Sequence, residues 1–128
     1  MPANRVYMMD ETWKDIPGYE GRYQVSDAGR VKSLPFMQRY VLRNGVEAFR
    51  RTAERILAAQ LNNRGYLLVH LHKDNERRAF TVHGLVARAF IPNPDNLPEV
   101  DHRDRNRANA AASNLRWLSV SDNRKRAA

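Results

Sequence analysis

Apolar and polar positions alternate from Tyr66 to His72, which predicts a strand; Asp74-Asn75 then supplies a turn, and Arg77 to Thr81 the returning strand. From Val82 the period changes. Val82, Leu85, Val86, Ala89 and Phe90 form one apolar stripe at helical spacing, so a helix is predicted over 82–90, with Thr81 as its cap and Pro92 and Pro94 as its stop. Downstream, Val100 to His102 and Leu115 to Ser119 read as short strands joined by a polar loop, and Ser121 to Arg126 begins a final helix.

Upstream, Tyr23 to Ser26 and Arg30 to Leu34 read as a hairpin around Asp27-Ala28-Gly29. Tyr23 and Val25 share one face, and Gln24 and Ser26 the other. Residues 36–61 carry two signals. Arg43-Asn44-Gly45 looks like a hairpin turn, while Phe49, Ala53, Ile56, Leu57 and Gln60 fit helical spacing. The reading adopted is a hairpin or irregular β excursion over 38–52. The pattern as a whole predicts an α+β chain of two modules sharing one fold, residues 11–60 and 61–128.

At 128 residues, against roughly 150 per domain, a large multidomain assembly is excluded. The 42% apolar and 28% charged content is that of a folding chain. Absence of cysteine excludes disulfides and cysteine-ligated zinc, so any metal must use oxygen or imidazole ligands. No apolar run is long enough for a membrane span or a signal peptide, which points to a cytoplasmic protein with no membrane partner. The net charge is +8, and 18 of the 22 basic residues are Arg, whose planar fork suits phosphate and guanine edges; nucleic acid is therefore the leading partner class.

Chemistry concentrates at Asp101-His102, a carboxylate beside an imidazole on a strand. Their side chains leave opposite sides of the strand, so one can ligate a cation while the other faces water. Antiparallel folding of the next strand would return Asn114 and Asn123 toward them, and Asp and Asn oxygens suit Mg²⁺. Elsewhere the plainer readings lead. His83 reads as a packing or capping histidine, His70 and His72 share a strand face without a third ligand, and Trp13, Tyr19, Tyr23 and Trp117 read as core aromatics.

Three segments carry a family resemblance. TVHGLVARAFIPNP (81–94) and VDHRDRNRANAAASNLRWLSVSDN (100–123) resemble the helix and nuclease motif of the HNH endonucleases of the ββα-metal fold, in particular homing endonucleases of phage introns. WKDIPGYEGRYQVSDAGRVKSL (13–34) resembles the N-terminal DNA-binding motif often fused to them. The resemblance implies an N-terminal antiparallel β module followed by a ββα-metal nuclease centre that hydrolyses DNA phosphodiesters, leaving 5′-phosphate and 3′-hydroxyl ends. It assigns His102 as general base, Asp101 and Asn123 as ligands of one divalent ion per site (Mg²⁺, Mn²⁺ or similar), and Asn114 as the middle motif residue that fixes the loop and the base. Asp104, Asn106 and Asn109 match structural loop positions. Arg22, Arg30, Lys32, Arg105, Arg107 and Arg116 are the expected DNA contacts.

Departures from the family pattern carry expectations of their own. Arg105 stands where the family has Gly, and Ala110-Ala111-Ala112 predicts a loop with weaker hydrogen bonding. The sequence stops five residues after Asn123, which implies no additional helix-turn-helix reader. One centre per chain, a charge of +8 and no heptad pattern predict a monomer that nicks one strand, with a dimer left open. A DNA-binding regulator that has lost turnover and a structure-specific or RNA-directed nuclease also remain open.

Overall fold

A computed structural model describes residues 11–127. The N-terminal part is an antiparallel sheet in the order β1-β2-β3-β6, formed by β1 (Trp13–Asp15), β2 (Tyr23–Ser26), β3 (Val31–Ser33) and β6 (Arg55–Ile56). Between β3 and β6 the chain leaves as a separate ribbon, β4 (Met37–Val41) and β5 (Glu47–Arg51), paired from Met37↔Arg51 to Val41↔Glu47. Helical spacing in this region is thus a coincidence of side-chain order: the turn chemistry decides, with Asn44 Oδ1 accepting the Val46 N–H at 3.1 Å.

A second sheet follows, β7 (Gln60–Leu61), β8 (Leu67–Lys73) and β9 (Glu76–Thr81), leading into α1 (Val82–Phe90). Asp74 and Asn75 both take positive φ, as the two-residue turn between β8 and β9 requires. Strands β10 (Glu99–His102) and β11 (Leu115–Leu118) then pair antiparallel, a single 3₁₀ turn (Ala112–Asn114) precedes β11, and α2 (Val120–Ala127) ends the described chain. The two-residue strands β6 and β7, and β1, give too little periodicity to be seen in sequence.

The apolar stripe of α1 is the middle of the molecule. Val82, Leu85 and Val86 pack in one buried cluster with Val25 and Val31 of the first sheet, Val69 and Leu71 of β8, and Leu115 of β11. Each such side chain contributes about 1.5–3 kcal/mol on full burial. The two parts of the chain therefore share one core, and polar ties reinforce it: the His72 N–H donates to the Tyr23 hydroxyl at 3.1 Å, and the Ala112 N–H to the Asp27 carbonyl at 2.8 Å.

Two local expectations change. Ser26 does not follow Gln24 to a wet face; it is fully buried, which it tolerates because its Oγ accepts the Ala28 and Arg30 N–H groups at 3.2 and 3.1 Å. Thr81 does occupy the cap position of α1 in extended conformation, yet its hydroxyl makes no capping bond. Among the described residues no helix is long and apolar enough to cross a membrane.

Candidate active site

Strand β10, the loop that follows it and α2 border an open cavity of about 390 Å³ lined by Tyr66, Glu99, Val100, Asp101, His102, Arg105, Arg107, Asn123 and Arg124. Register sets its first wall, since Asp101 lies opposite Arg116 and His102 opposite Leu115. Ser119 sets the second: its Oγ accepts the Asp122 N–H at 3.1 Å and its carbonyl the Asn123 N–H at 3.0 Å, which starts α2 and turns Asn123 back over β10. There the Asn123 amide donates through Nδ2 to Glu99 Oε1 at 2.8 Å. An amide held by its nitrogen has its oxygen oriented too.

Asp101, His102 and Asn123 therefore meet at one cavity, although a strand pleat aims the first two apart. Asp101 Oδ2 accepts Arg116 Nε at 2.9 Å, so Arg116, expected on DNA, is an ion-pair partner of the site carboxylate. His102 is only 6% exposed, and its Nε2 is sealed from solvent with no hydrogen-bond partner among the described residues. Its ring lies against Tyr66 (centroids 5.7 Å) and His83 (4.8 Å, interplanar angle 70°). Burial pushes the His102 pKa below the ordinary imidazole value, outweighing the upward pull of Asp101 and Asp104. The imidazole is consequently neutral at pH 7 and able to accept a proton.

Asn114 does not line the cavity. It ties the β10–β11 loop together from inside: Nδ2 donates to Asp104 Oδ1 and to the Asn109 carbonyl, both at 2.9 Å, while Oδ1 accepts the Asp104 N–H at 3.0 Å. Asp104 also accepts Asn109 Nδ2 at 2.9 Å and the Asn106 N–H at 2.8 Å, and these bonds, led by Asn109, hold its carboxyl below the usual range. The loop is therefore densely bonded, contrary to the expectation from Ala110-Ala111-Ala112. The alanines serve packing instead. Ala110 is buried against Gly29, where an added Cβ would stand 3.0 Å from the Ala110 carbonyl carbon, so two small residues let loop and hairpin touch. Arg105 adopts φ +62°, in the left-handed region that favours glycine, while its side chain lines the cavity.

Lys32 lies on β3, Arg22 and Arg30 immediately precede β2 and β3, and none of the three lines the cavity. Arg30 is ion-paired with Glu11, Lys32 sits 4.3 Å over the Trp13 ring and 3.6 Å from Glu54, and the Arg22 guanidinium stacks 3.7 Å over Phe36. Their charges face partners within the chain. The sequence reading passed over Glu99, Tyr66 and Arg124 at the cavity, and it took His83 as a packing or capping histidine. Glu99 had a signal, because a residue two before Asp101 on a strand shares its face.

Metal fit rests on the donor set. Among the described residues no three His, Asp or Glu side chains are clustered to hold an ion, and His70 and His72 gain no third ligand. Asp101 and Asn123 offer oxygen donors at a cavity that also carries Arg105, Arg107 and Arg124. Few protein oxygens, room for water and a cationic rim for phosphate suit a Mg²⁺-like ion.

Residues 11–72 match the NUMOD4 motif and residues 80–125 the HNH endonuclease family. The chain is 36% identical over 107 residues to DNA endonuclease I-HmuI of Bacillus phage SP01, covering 84% of this chain and 52% of that protein. It is 28% identical over 95 residues to H-N-H endonuclease F-TflII of Escherichia phage T5, covering 73% and 49%. A solved structure of DNA binding and cleavage by the HNH homing endonuclease I-HmuI superposes with a TM-score of 0.69 at 35% identity, over 90% of this chain and 56% of that one. The chain thus spans about half the length of these relatives, and its two family-matched segments together contain the N-terminal sheet and every residue that lines the cavity. It belongs to the HNH endonuclease family, with a NUMOD4 motif ahead of its nuclease region.

Proposed function

We propose that this chain is a divalent-metal-dependent endonuclease that hydrolyses DNA phosphodiester bonds, a homing-type or phage nicking enzyme in which residues 11–60 engage DNA and residues 61–128 cut it. The observation that carries the reading is the convergence of Asp101, buried neutral His102 and Asn123 on one cavity rimmed by arginines.

His102 takes the proton of the attacking water, for which a neutral imidazole is required. Asp101, aligned by Arg116, and Asn123, aligned by Glu99, hold the divalent ion, Mg²⁺ or a similar one. When bound, that ion offsets charge on the scissile phosphate and the departing 3′ oxygen. Arg105, Arg107 and Arg124 receive the phosphate backbone at the rim. Asn114 acts through the loop, keeping Asp104 and the end of β10 in place. Cleavage in this scheme leaves 5′-phosphate and 3′-hydroxyl ends.

One such centre among the described residues supports nicking by a monomer. The test is supercoiled plasmid incubated with and without Mg²⁺, wild type against His102→Ala. Metal-dependent open circles from the wild type, reduced about 10²–10⁴-fold in the variant, are expected. Direct conversion to linear DNA by a stable dimer overturns the monomeric nickase. Unchanged DNA under all conditions overturns the nuclease.

A further inference from the structure

Three buried side-chain nitrogens lack a hydrogen-bond partner among the described residues, and two of them, His83 Nδ1 and His102 Nε2, belong to rings in contact at 4.8 Å. A buried nitrogen left without a partner is costly to the fold. Two such nitrogens on adjoining rings can satisfy each other with one proton after a small ring adjustment, because a neutral imidazole has one N–H and one lone pair.

We infer that His83 is the positioning residue of His102, its Nδ1 accepting the Nε2–H of His102 and so keeping the lone pair on His102 Nδ1 for the water. This deepens the proposed function and rests on it. The cavity side supports the assignment: Nε2 of His102 is sealed, so a base at this site works through Nδ1. The helix side supports it as well. His83 is the second residue of α1, where the positive end of the helix dipole disfavours an imidazolium, and Arg88 lies one turn on. Burial first, then His102 and Arg88, push the His83 pKa down to about 4, which leaves a neutral acceptor at working pH. Tyr66 closes the far side, its ring 4.9 Å from His83 and 5.7 Å from His102, so neither imidazole turns easily. The histidine of the helix motif thereby acquires a task that packing alone does not require.

The direct measurement is the His102 tautomer, read from ¹⁵N shifts of the ¹⁵N-histidine-labelled full chain at pH 7.5. Wild type is expected to carry its proton on Nε2, and His83→Phe, which keeps an aromatic ring but no acceptor, to show both tautomers. A wild-type His102 protonated on Nδ1 overturns the inference, whether or not the protein cuts DNA and whether or not the variants fold. The kinetic measurement uses the same pair with His83→Asn, whose amide oxygen can stand near the lost Nδ1. His83→Phe is expected to lower kcat about 10- to 100-fold with KM for plasmid unchanged, as loss of an orienting partner does, and His83→Asn to recover most of it. Wild-type kcat in His83→Phe, or equal loss in both variants, overturns the positioning role.

Discussion

Arg105 is the residue where backbone and side chain ask for different amino acids. Its φ of +62° favours glycine by about 1–2 kcal/mol before unfolded-state entropy is counted, while its guanidinium belongs to the cationic rim of the cavity. Arg105→Gly and Arg105→Ala remove the same side-chain interactions and differ in the backbone alone. The glycine variant should be the more stable by about 1 kcal/mol in urea unfolding, and both should cleave DNA more slowly than wild type. Equal stability would mean that φ is set without strain. Glu99 is the complementary case, a residue that acts through Asn123. Glu99→Ala should raise the Mg²⁺ concentration for half-maximal cleavage about tenfold with DNA affinity kept, which a metal titration of the nicking rate reads directly.

At the scale of elements, the hairpin β2–β3 and the loop between β10 and β11 are joined at Gly29. Its φ of +89° strains any L side chain, and an added Cβ would crowd the Ala110 backbone at 3.0 Å. Gly29→Ala should cost about 2 kcal/mol, a Tm drop of roughly 5–10 °C, and a calorimetric scan checks it. Helix α1 carries an acid sensitivity of its own. His83 has a folded-state pKa of about 4, below the ordinary value of 6.5, so the unfolded chain binds protons more readily through that interval. Stability is therefore complete above about pH 6.5 and declines as pH falls toward 4. His102, also pushed down by burial, acts in the same direction. Thermal scans between pH 7.5 and 4.5 should show this decline, and His83→Phe should flatten it; an unchanged acid limb would place the titration elsewhere.

For the whole molecule, a charge of +8 predicts DNA affinity that falls steeply with salt. The structure redistributes which residues carry that slope. Arg30 and Lys32 face Glu11, Glu54 and Trp13, whereas Arg124 is exposed at the cavity rim. Arg124→Ala should reduce the slope of log K against log salt by about 0.9, and Arg30→Ala by much less, in anisotropy titrations across salt. Equal effects would return Arg30 to the set of phosphate contacts.

Sequence alone determined what local chemistry can encode. The stripe on α1, the Asp74-Asn75 turn, the β4–β5 ribbon and the family resemblance are each written in neighbouring residues, because turns, periods of two and 3.6, and contiguous motifs need no distant partner. Asp101, His102 and Asn123 could be named as candidates for the same reason, and the fold brings them to one cavity. What only the tertiary structure decided are the meetings between segments remote in the chain: Glu99 with Asn123, Arg116 with Asp101, Gly29 with Ala110, His83 with His102. Charge type and spacing could not tell that Arg116 pairs with the site carboxylate or that Arg30 is held by Glu11, since an arginine reads alike whether its partner is a phosphate or a glutamate. Nor could they tell that His83 is more than filling, because burial next to a second imidazole is a property of the packed core and not of either strand or helix alone.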